Sequence, residues 1–568
     1  MTIEPSSPPP IQRPSFAELY VPKLVTVLRE GYGLAAFRAD AVAGLTVAIV
    51  ALPLSMAIAI ASGAPPERGL FTAIVAGFLI SALGGSRFQV GGPAGAFIIL
   101  VAAAVDRHGI DGVVLATTMA GFFLIAAGLL RLGTFIKFMP YPVTVGFTAG
   151  IAVIIFASQL KDLLGLTLVG KEPGAIVPKL EAMALAIGTI NPASVGLAGL
   201  TIGLIAATRR LRPHWPGMLI AVVAAAGATW AFGLPVETIA SRFGGIPSTL
   251  PAPQLPTLSL AKMMAVLPDA MAFALLGAIE SLLSAVVADG MTGRRHRSNS
   301  ELVAQGVANI GASLFGGIPA TGTIARTATN VRAGARGPVA GMLHAVFLLL
   351  FMLLAAPLAG FIPLAALAGV LVVVAWNMAE KHEFLTLLRS SRGDAVVLLA
   401  TFLLTVFRDL TEGIVVGFAL GAALFIRRMA GVTGIEAMAP LAQPDRSDDA
   451  VPRAPYDSRL ATDEAVVVYR LSGAFFFGTA SSLNAVVDRI ADRHKAFVID
   501  FSAVPFVDST AANVIAGIAR KADRHKVRVF ITGATPPVRH ALLAAGARRP
   551  QVRYRRHIED AVSEAHSV

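Results

Sequence analysis

Long stretches without a charged side chain recur along this 568-residue chain, and they constrain its fold more than any other feature. Asp, Glu, Lys and Arg are missing from residues 41–66, 112–130, 138–160 and 337–379, among others. About 20 apolar residues in a helix cross the hydrocarbon core of a bilayer, so these runs predict membrane-spanning helices. Apolar residues make up 55% of the chain and charged residues 14%, and the mean hydropathy is +0.71, which excludes an ordinary soluble globular protein.

The apolar runs fall into about fourteen segments between residues 41 and 430, some too short to cross a bilayer alone. The run at residues 337–379 exceeds one span, so its prolines predict a break near residues 357–363. The third segment of each half is a short run after a Gly- and Pro-rich stretch, at residues 91–95 and 316–322. Paired interruptions of this kind are typical of inverted-repeat transporters with helices broken at mid-membrane. We therefore predict a polytopic α-helical membrane protein with fourteen segments in a seven-plus-seven inverted repeat.

Glu280 is the only Asp, Glu, Lys or Arg between Asp269 and Asp289. At a rise of about 1.5 Å per residue it lies about 13–16 Å from either flanking carboxylate, near the middle of a hydrocarbon core about 30 Å thick. A carboxylate there costs several kcal/mol unless it is paired, hydrated or protonated, and such acids usually mark ion or proton pathways. Glu280 therefore predicts a transporter.

Beyond residue 430 the pattern becomes that of a soluble domain. Residues 431–461 form a polar, proline-containing linker, and residues 1–40 lack a cleavable signal pattern, which predicts a cytoplasmic start. The transport domain is predicted at residues 41–430, and a small α/β domain at residues 462–568, where strands and helices alternate. The predicted strands are residues 466–471, 497–501 and 527–531, and the predicted helices are residues 481–493, 509–523 and 537–545, the last of the domain.

Composition also narrows the function. The chain has no cysteine, so disulfides, thiol catalysis and cysteine metal sites are excluded. The net charge of +12 comes from basic residues in short loops between apolar runs, which favours orientation in a membrane over nucleic-acid binding. The sequence contains no Walker loop, metal-ligand cluster or nucleophile–base arrangement, so we predict no enzyme activity, no cofactor, no metal site and no direct ATP drive.

Several signatures together carry a resemblance to a known family. They are Asp40–Val47 leading into Leu52–Ala57, Gly84–Arg87 before Val90–Pro93, Asn299–Gly306, Gly316–Arg326 and, in the C-terminal domain, Phe506–Thr510. In order and spacing they resemble the SulP (sulfate-permease-like) anion transporters over nearly the full length, and the C-terminal domain looks like a STAS domain. The resemblance implies core and gate domains, a cytoplasmic STAS domain and a homodimer. It also implies a multi-pass protein in the lipid bilayer of the bacterial cytoplasmic (inner) membrane, with both termini in the cytoplasm.

Within this family, residues 277–284, 288–293 and 325–334 look most like the bacterial C4-dicarboxylate branch. The resemblance therefore implies proton-coupled uptake of C4-dicarboxylates by an elevator-like motion of core against gate. A sulfate or bicarbonate transporter, proton- or sodium-coupled or an exchanger, is the alternative. A nucleobase carrier would share the inverted repeat, but the STAS-like domain and the signature at residues 84–87 argue against it. A membrane-anchored STAS signalling protein is the remote alternative, because fourteen segments with a buried acid exceed what anchoring requires.

The same resemblance places an anion site at the two broken helices. A helix N-terminus offers unpaired backbone N–H groups and about half a positive charge, so two of them facing each other suit a small anion. Arg326 is expected to add a positive charge or to form a structural pair with an acid such as Glu280. Ser55, in a segment of the first helix that looks unwound, is a candidate donor. The expected substrate-binding residues are Ser55, Ala94, Gly95, Ala96, Thr323, Ile324, Ala325 and Arg326.

Ion coupling is expected at Glu280 and Ser284, which share one helical face as i and i+4. Sodium-coupled relatives place an aspartate and a threonine at these positions, so the resemblance favours a proton here, with sodium as the rival. His344, in a long apolar run, is interpreted as a hydrogen-bonded packing residue or as a proton relay.

In the STAS-like domain, Ser509 and Thr510 are regulatory candidates, because soluble relatives carry a phosphorylatable hydroxyl in this loop and Thr510 matches its position. Ala511 replaces the glycine that commonly follows, which favours a helix-capping hydroxyl over a phosphorylation switch. A cytosolic protein partner at this domain fits either interpretation.

Overall fold

The computed structural model describes residues 19–134, 139–170, 172–212, 215–408, 410–432, 466–472, 496–524 and 526–566. Two compact units divide the chain. The first comprises residues 1–136, 159–170 and 185–372, and the second comprises residues 137–158, 171–184 and 373–568. The predicted helix at residues 481–493 lies outside the described residues, as does nearly all of the predicted linker.

Helices dominate the first four hundred or so residues, as the apolar runs predict. The first half contains α1 (Lys23–Arg29), α2 (Leu34–Ala61), α3 (Pro66–Leu83), α4 (Ile98–Leu129), α5 (Tyr141–Leu164), α6 (Ile176–Leu185), α7 (Pro192–Leu211), α8 (Gly217–Phe232) and α9 (Ile239–Phe243). The second half contains α10 (Leu260–Thr292), α11 (Ser298–Leu314), α12 (Ile324–Arg332), α13 (Val339–Ala359), α14 (Leu364–Met378), α15 (Lys381–Ser390), α16 (Arg392–Phe407) and α17 (Leu410–Val432). In the described part of the chain, eight helical stretches are long and apolar enough to cross a membrane.

The repeat becomes visible once α4 is divided at Gly109, whose backbone (φ 67°, ψ −177°) is not helical. The described helices then give seven segments in each half: α2, α3, the two parts of α4, α5, α7 and α8, followed by α10 to α14, α16 and α17. The shorter helices α6 and α15 occupy the same place in each half, after the fifth segment. The predicted break within residues 337–379 is confirmed, because α13 ends and α14 begins there.

Two very short strands join the halves. Strand β1 (Gly91–Gly92) pairs antiparallel with β2 (Thr321–Gly322), and Gly92 lies opposite Thr321. Each of these two residues precedes the N-cap of its own half-helix by two positions. Equivalent positions of the halves therefore meet across a local two-fold axis, which is the geometry of an inverted repeat.

Two of the sequence signatures meet where α3 ends and α11 begins. The fully buried Glu301 carboxylate accepts hydrogen bonds from the backbone N–H groups of Gly85 (2.8 Å) and Ser86 (3.0 Å) and from Nε2 of Gln305 (2.9 Å). A Cβ atom on Gly85 would lie 2.1 Å from the carbonyl oxygen of Arg297, so only glycine fits there. These two motifs have a structural role, because they bind the end of α3 to the start of α11, the helices that precede the two broken segments.

The C-terminal domain contains a parallel sheet in the order β3–β4–β5–β6. Its described elements are β3 (Val466–Ser472), β4 (Ala496–Ala503), α18 (Ser509–Arg524), β5 (Arg528–Thr532), α19 (Pro536–Ala544), β6 (Val552–Tyr554) and α20 (Ile558–His566). The first six residues of β4 are all buried, as expected for an inner strand of a parallel sheet. The prediction that the helix at residues 537–545 is the last helix of the domain is wrong, because β6 and then α20 follow it. On β6 only Val552 is buried, and it lies between Gln551 and Arg553, so no apolar run predicts the strand.

Candidate anion-binding site

The two half-helices begin without side-chain caps. Ala94 is the N-cap of the 3₁₀ turn Gly95–Phe97 that leads into α4, and Thr323 is the N-cap of α12. Threonine is usually a good cap, but the Thr323 hydroxyl donates instead to the carbonyl oxygen of Val90 at 3.2 Å. The first backbone N–H groups of both half-helices are thus left for another acceptor, which an anion would supply.

The predicted substrate residues around these N-caps differ in exposure. Ala325 is exposed, Gly95 and Ile324 are half-buried, and the side chains of Ala94 and Ala96 are buried. Residues 94–96 follow β1, and residues 323–326 directly follow β2. Because β1 and β2 pair, the structure brings these two predicted groups together at the place where the strands meet, which we call the crossing. Small side chains here let a ligand approach the backbone.

Arg326 lies inside this crossing with only 1% of its surface exposed. Nη1 donates to the Gly91 carbonyl (3.3 Å), and Nη2 donates to the Pro93 carbonyl (3.3 Å) and to Oγ of Ser55 (3.0 Å). These three acceptors are neutral and two of the bonds are long, so they orient the guanidinium without cancelling its charge. Its predicted pairing with Glu280 stays a prediction.

Ser55 differs from the expectation in two ways. Its segment is not unwound, since α2 runs continuously through Pro53. The hydroxyl donates to the Ala51 carbonyl (2.7 Å) within the helix and accepts from Arg326. In this structure Ser55 therefore orients the arginine, and its proton is not directed at a ligand.

A polar stripe, which is a row of polar side chains on one face of α12, joins the two halves of the repeat by hydrogen bonds. The backbone N–H of Thr323 donates to the Val90 carbonyl (3.1 Å), the N–H of Val90 donates to Oγ1 of Thr327 (3.2 Å), and Nδ2 of Asn330 donates to the Phe88 carbonyl (2.9 Å). Together with Arg326 these side chains occupy positions i, i+3, i+4 and i+7, which is one face of a helix. Sequence reasoning missed Thr327 and Asn330, although a polar stripe on so short a buried helix is a signal that could have found them.

Helix α10 contacts both half-helix starts just before the coupling candidate Glu280. Oγ1 of Thr321 donates to the Gly277 carbonyl (2.9 Å), and a Cβ on Gly277 would lie 3.6 Å from the Phe97 ring. Glu280 follows within one turn and is buried (6% exposed). The candidate coupling residue Ser284 is fully buried. The fold thus places the predicted coupling residues on the helix that touches the predicted anion site.

His344 lies on α13 and is fully buried against α3, where a Cβ on Gly77 would lie 3.5 Å from its ring. Neither ring nitrogen makes a hydrogen bond of normal geometry, although the backbone of Gly341 lies near the ring. His344 is therefore a packing residue in this structure, and its hydrogen bonding stays a prediction.

In the C-terminal domain the cap of α18 is Asp508. Its Oδ1 accepts from the backbone N–H of Ala511 at 2.7 Å, three residues on. The predicted cap at Ser509 or Thr510 is therefore wrong, because the carboxylate just before them takes that role. Both hydroxyl residues lie half-buried in the first turn and stay regulatory candidates.

Comparison with known proteins gives a consistent family. Residues 37–401 match the sulfate permease family, and residues 458–565 match the STAS domain. The chain is 42% identical over 485 residues to "Putative sulfate transporter YvdB" of Bacillus subtilis (strain 168), covering 84% of this chain and 88% of that protein. It is 32% identical over 519 residues to the bicarbonate transporter BicA of Synechocystis sp. (strain ATCC 27184 / PCC 6803 / Kazusa), with 89% of each chain covered.

Solved structures agree with this assignment. The transmembrane domain of a cyanobacterial bicarbonate transporter BicA matches with a TM-score of 0.61 at 34% identity, covering 67% of this chain and 98% of that chain. The structure of SLC26A9 matches with a TM-score of 0.66 over 96% of this chain and 92% of that chain, at an identity of 18% that shows the fold alone.

These relatives bear names of sulfate and bicarbonate transporters and do not support the predicted C4-dicarboxylate branch. They are transporters and not enzymes, in agreement with the sequence prediction. The chain belongs to the sulfate permease family of multi-pass membrane anion transporters and carries a C-terminal STAS domain.

Proposed function

We propose that this protein is a secondary active transporter of a small oxyanion, sulfate or bicarbonate, in the bacterial cytoplasmic membrane. The antiparallel pairing of β1 with β2 carries the proposal, because it brings two uncapped half-helix N-termini and the buried Arg326 to one place. Two helix N-termini contribute about one positive charge and the guanidinium a second, so the crossing suits an anion of one or two charges.

The chemistry of the walls supports a compact substrate. The exposed and half-buried positions offer backbone N–H groups and small or apolar side chains, Gly95, Ile324 and Ala325. A sulfate or bicarbonate ion carries acceptor oxygens on several sides and can accept from both half-helices at once. The names of the relatives support the same two substrates over a longer dicarboxylate.

Uptake into liposomes that contain the purified full-length protein tests the substrate. Labelled sulfate, bicarbonate, succinate and fumarate are offered separately, with and without a pH gradient and with and without a sodium gradient. We expect sulfate or bicarbonate to accumulate and the dicarboxylates to stay outside. Accumulation of succinate or fumarate without either oxyanion would refute the proposed substrate class.

Glu280 is proposed as the proton-coupling residue, because it is a buried acid within one turn of the contact between α10 and both half-helices. The variant Glu280→Gln mimics the protonated carboxyl, so it should keep anion binding and exchange but lose accumulation driven by a pH gradient. The matched control Glu412→Gln changes an exposed acid on α17 and should accumulate substrate like the wild type. Accumulation by Glu280→Gln at the wild-type level would show that coupling lies elsewhere.

A further inference from the structure

One buried hydroxyl connects the proposed coupling site to the anion site. Oγ1 of Thr327, which is fully buried, accepts a hydrogen bond from Oγ of Ser284 at 2.9 Å and another from the backbone N–H of Val90 at 3.2 Å. The carbonyl of the same Val90 accepts from the backbone N–H and the hydroxyl of Thr323, the N-cap of α12. Thr327 thus stands between α10 and the peptide that holds the start of the second half-helix.

In this arrangement the Ser284 hydroxyl donates to Thr327. A hydroxyl oxygen has two lone pairs, and in Thr327 the Val90 N–H and the Ser284 proton occupy both. Since its proton is directed to Thr327, Ser284 offers only lone pairs to its other neighbours on α10. Glu280 lies one turn earlier on the same face. Lone pairs suit a protonated carboxyl, which donates, and oppose an ionised carboxylate, which only accepts.

We propose that Thr327 is a positioning residue that sets the Ser284 hydroxyl for a protonated Glu280 and transmits the state of that carboxyl to the anion site. When Glu280 loses its proton, the Ser284 proton turns to the carboxylate and Ser284 no longer donates to Thr327. Thr327 then accepts a hydrogen bond from the Val90 N–H but no longer from Ser284. The change is transmitted to Val90, whose carbonyl binds the N-cap Thr323. The proposal rests on the proposed coupling role of Glu280.

Other charged groups surround α10 and are part of the same electrostatic environment. The elements packed against it are α4 with the 3₁₀ turn Gly95–Phe97 that precedes it, α11, α12 and β2. Arg326 lies on α12 beside Thr327, and Glu301 lies on α11. On α4, Arg107 and His108 pair with Asp269 of α10 at 2.5 and 3.3 Å. None of the hydrogen bonds of Thr327 described above involves these groups, so a hydroxyl-specific change can be separated from them.

The test compares variants of the full-length protein in their affinity for sulfate and for bicarbonate at acidic and at alkaline pH. Thr327→Val removes the hydroxyl at nearly constant shape, and Thr327→Ser keeps it. Ser284→Ala and the double variant with Thr327→Val complete a double-mutant cycle. Thr117→Val is the matched control, because Thr117 is also fully buried but, among the described residues, its hydroxyl bonds only to the Val113 carbonyl of its own helix (2.7 Å).

Thr327→Val should weaken anion binding by about tenfold and remove most of its pH dependence, since a buried N–H loses its partner. Thr327→Ser should restore both properties, and the double variant should be no worse than either single one. An unchanged pH dependence in Thr327→Val, additive effects in the cycle, or a Thr327→Ser variant as impaired as Thr327→Val would each overturn the proposal.

Failure of the proposed function gives a different pattern. A wild-type protein that binds neither oxyanion, or binds it equally at both pH values, refutes the proposed function itself. The link between Ser284 and Thr327 is then decided by the same cycle read out as thermal stability, where additive effects of the two substitutions would contradict it.

Discussion

Gly92 offers a sharp test of the role of Arg326, because the guanidinium packs directly on its backbone. An added Cβ would lie 2.0 Å from Nη1 of Arg326, and the residue has φ +150°, a conformation that L side chains rarely adopt. Non-bonded heavy atoms prefer separations of about 3.5 Å, so in Gly92→Ala the Nη1 atom must retreat by about 1.5 Å. The guanidinium is held by one hydrogen bond from Nη1 and two from Nη2, which are already 3.0–3.3 Å long, so a shift of this size breaks them.

The expected magnitudes follow from these two effects. Strained backbone costs about 1–3 kcal/mol, and losing hydrogen bonds to a buried charged group costs at least about 1.5 kcal/mol more. We expect the free energy of unfolding to fall by about 2–5 kcal/mol. Misplacing the guanidinium should also weaken anion binding by at least about tenfold, since this corresponds to only about 1.4 kcal/mol.

Thermal unfolding of the purified protein across a sulfate or bicarbonate titration separates the two effects. The unfolding temperature without anion reports the loss of stability, and its increase with anion concentration reports the dissociation constant. Gly203→Ala on α7 is the control, because among the described residues nothing lies within 4 Å of its Cβ position. It should stabilise the helix by up to about 1 kcal/mol without changing affinity. Wild-type anion affinity in Gly92→Ala would refute the assigned role of Arg326.

Three further predictions concern other parts of the molecule. Ala325→Trp puts a bulky ring at the exposed start of α12 and should abolish anion binding in the same titration without lowering the unfolding temperature; retained affinity would contradict the placement of the site. Glu301→Gln keeps the shape but gives two buried N–H groups a neutral acceptor, so chemical denaturation should show a loss of about 1–2 kcal/mol, and an unchanged stability would count against its architectural role. Burial alone would raise the pKa of Asp500, but hydrogen bonds from three neighbouring side chains outweigh it and lower the pKa below the ordinary 3.8. The pKa of Asp500 is thus lower in the folded protein than in the unfolded one. Its ionised carboxylate therefore contributes fully to the free energy of unfolding above the ordinary pKa of 3.8, and this contribution is lost as pH falls through the folded pKa. Hydrogen exchange of β4 should show this loss of stability at acidic pH in the wild type and a smaller loss in Asp500→Asn.

The helices were largely predictable because a backbone in lipid can satisfy its hydrogen bonds in only a few ways. A chain in hydrocarbon must satisfy its N–H and C=O groups within each segment, so apolar length and proline breaks carry most of the information, as in residues 337–379. Two details of the helices are not evident from the apolar runs. The third segment of the first half passes Asp106 and breaks at Gly109, and Pro53 stays inside a continuous helix. Neither outcome can be inferred from hydropathy alone.

The sequence indicates which residues meet around β1 and β2, but not how their side chains are oriented. Ser55 and Arg326 were both expected there, but the bond between them joins residues 271 positions apart, and only the fold decides which group donates to which. The same holds for Thr323, whose hydroxyl turns away from the cap position to Val90. In the C-terminal domain, local chemistry was sufficient, because an aspartate just before a helix is a strong capping signal, and Asp508 was passed over in favour of the hydroxyls after it.

The polar stripe of α12 also explains why subgroup resemblance gave a poor guide to substrate. Its side chains are occupied by the peptide groups around β1, and the residues that present surface, Gly95, Ile324 and Ala325, have no polar side chain. At the proposed site an anion would meet mainly backbone N–H groups, which every sequence can supply. We propose that selection among oxyanions depends on the spacing and angle of the two half-helix ends, which are joined by the pairing of β1 with β2. The motifs in residues 277–284 and 325–334 supply hydrogen bonds that position the half-helices. Transporters with different substrates can therefore share these motifs.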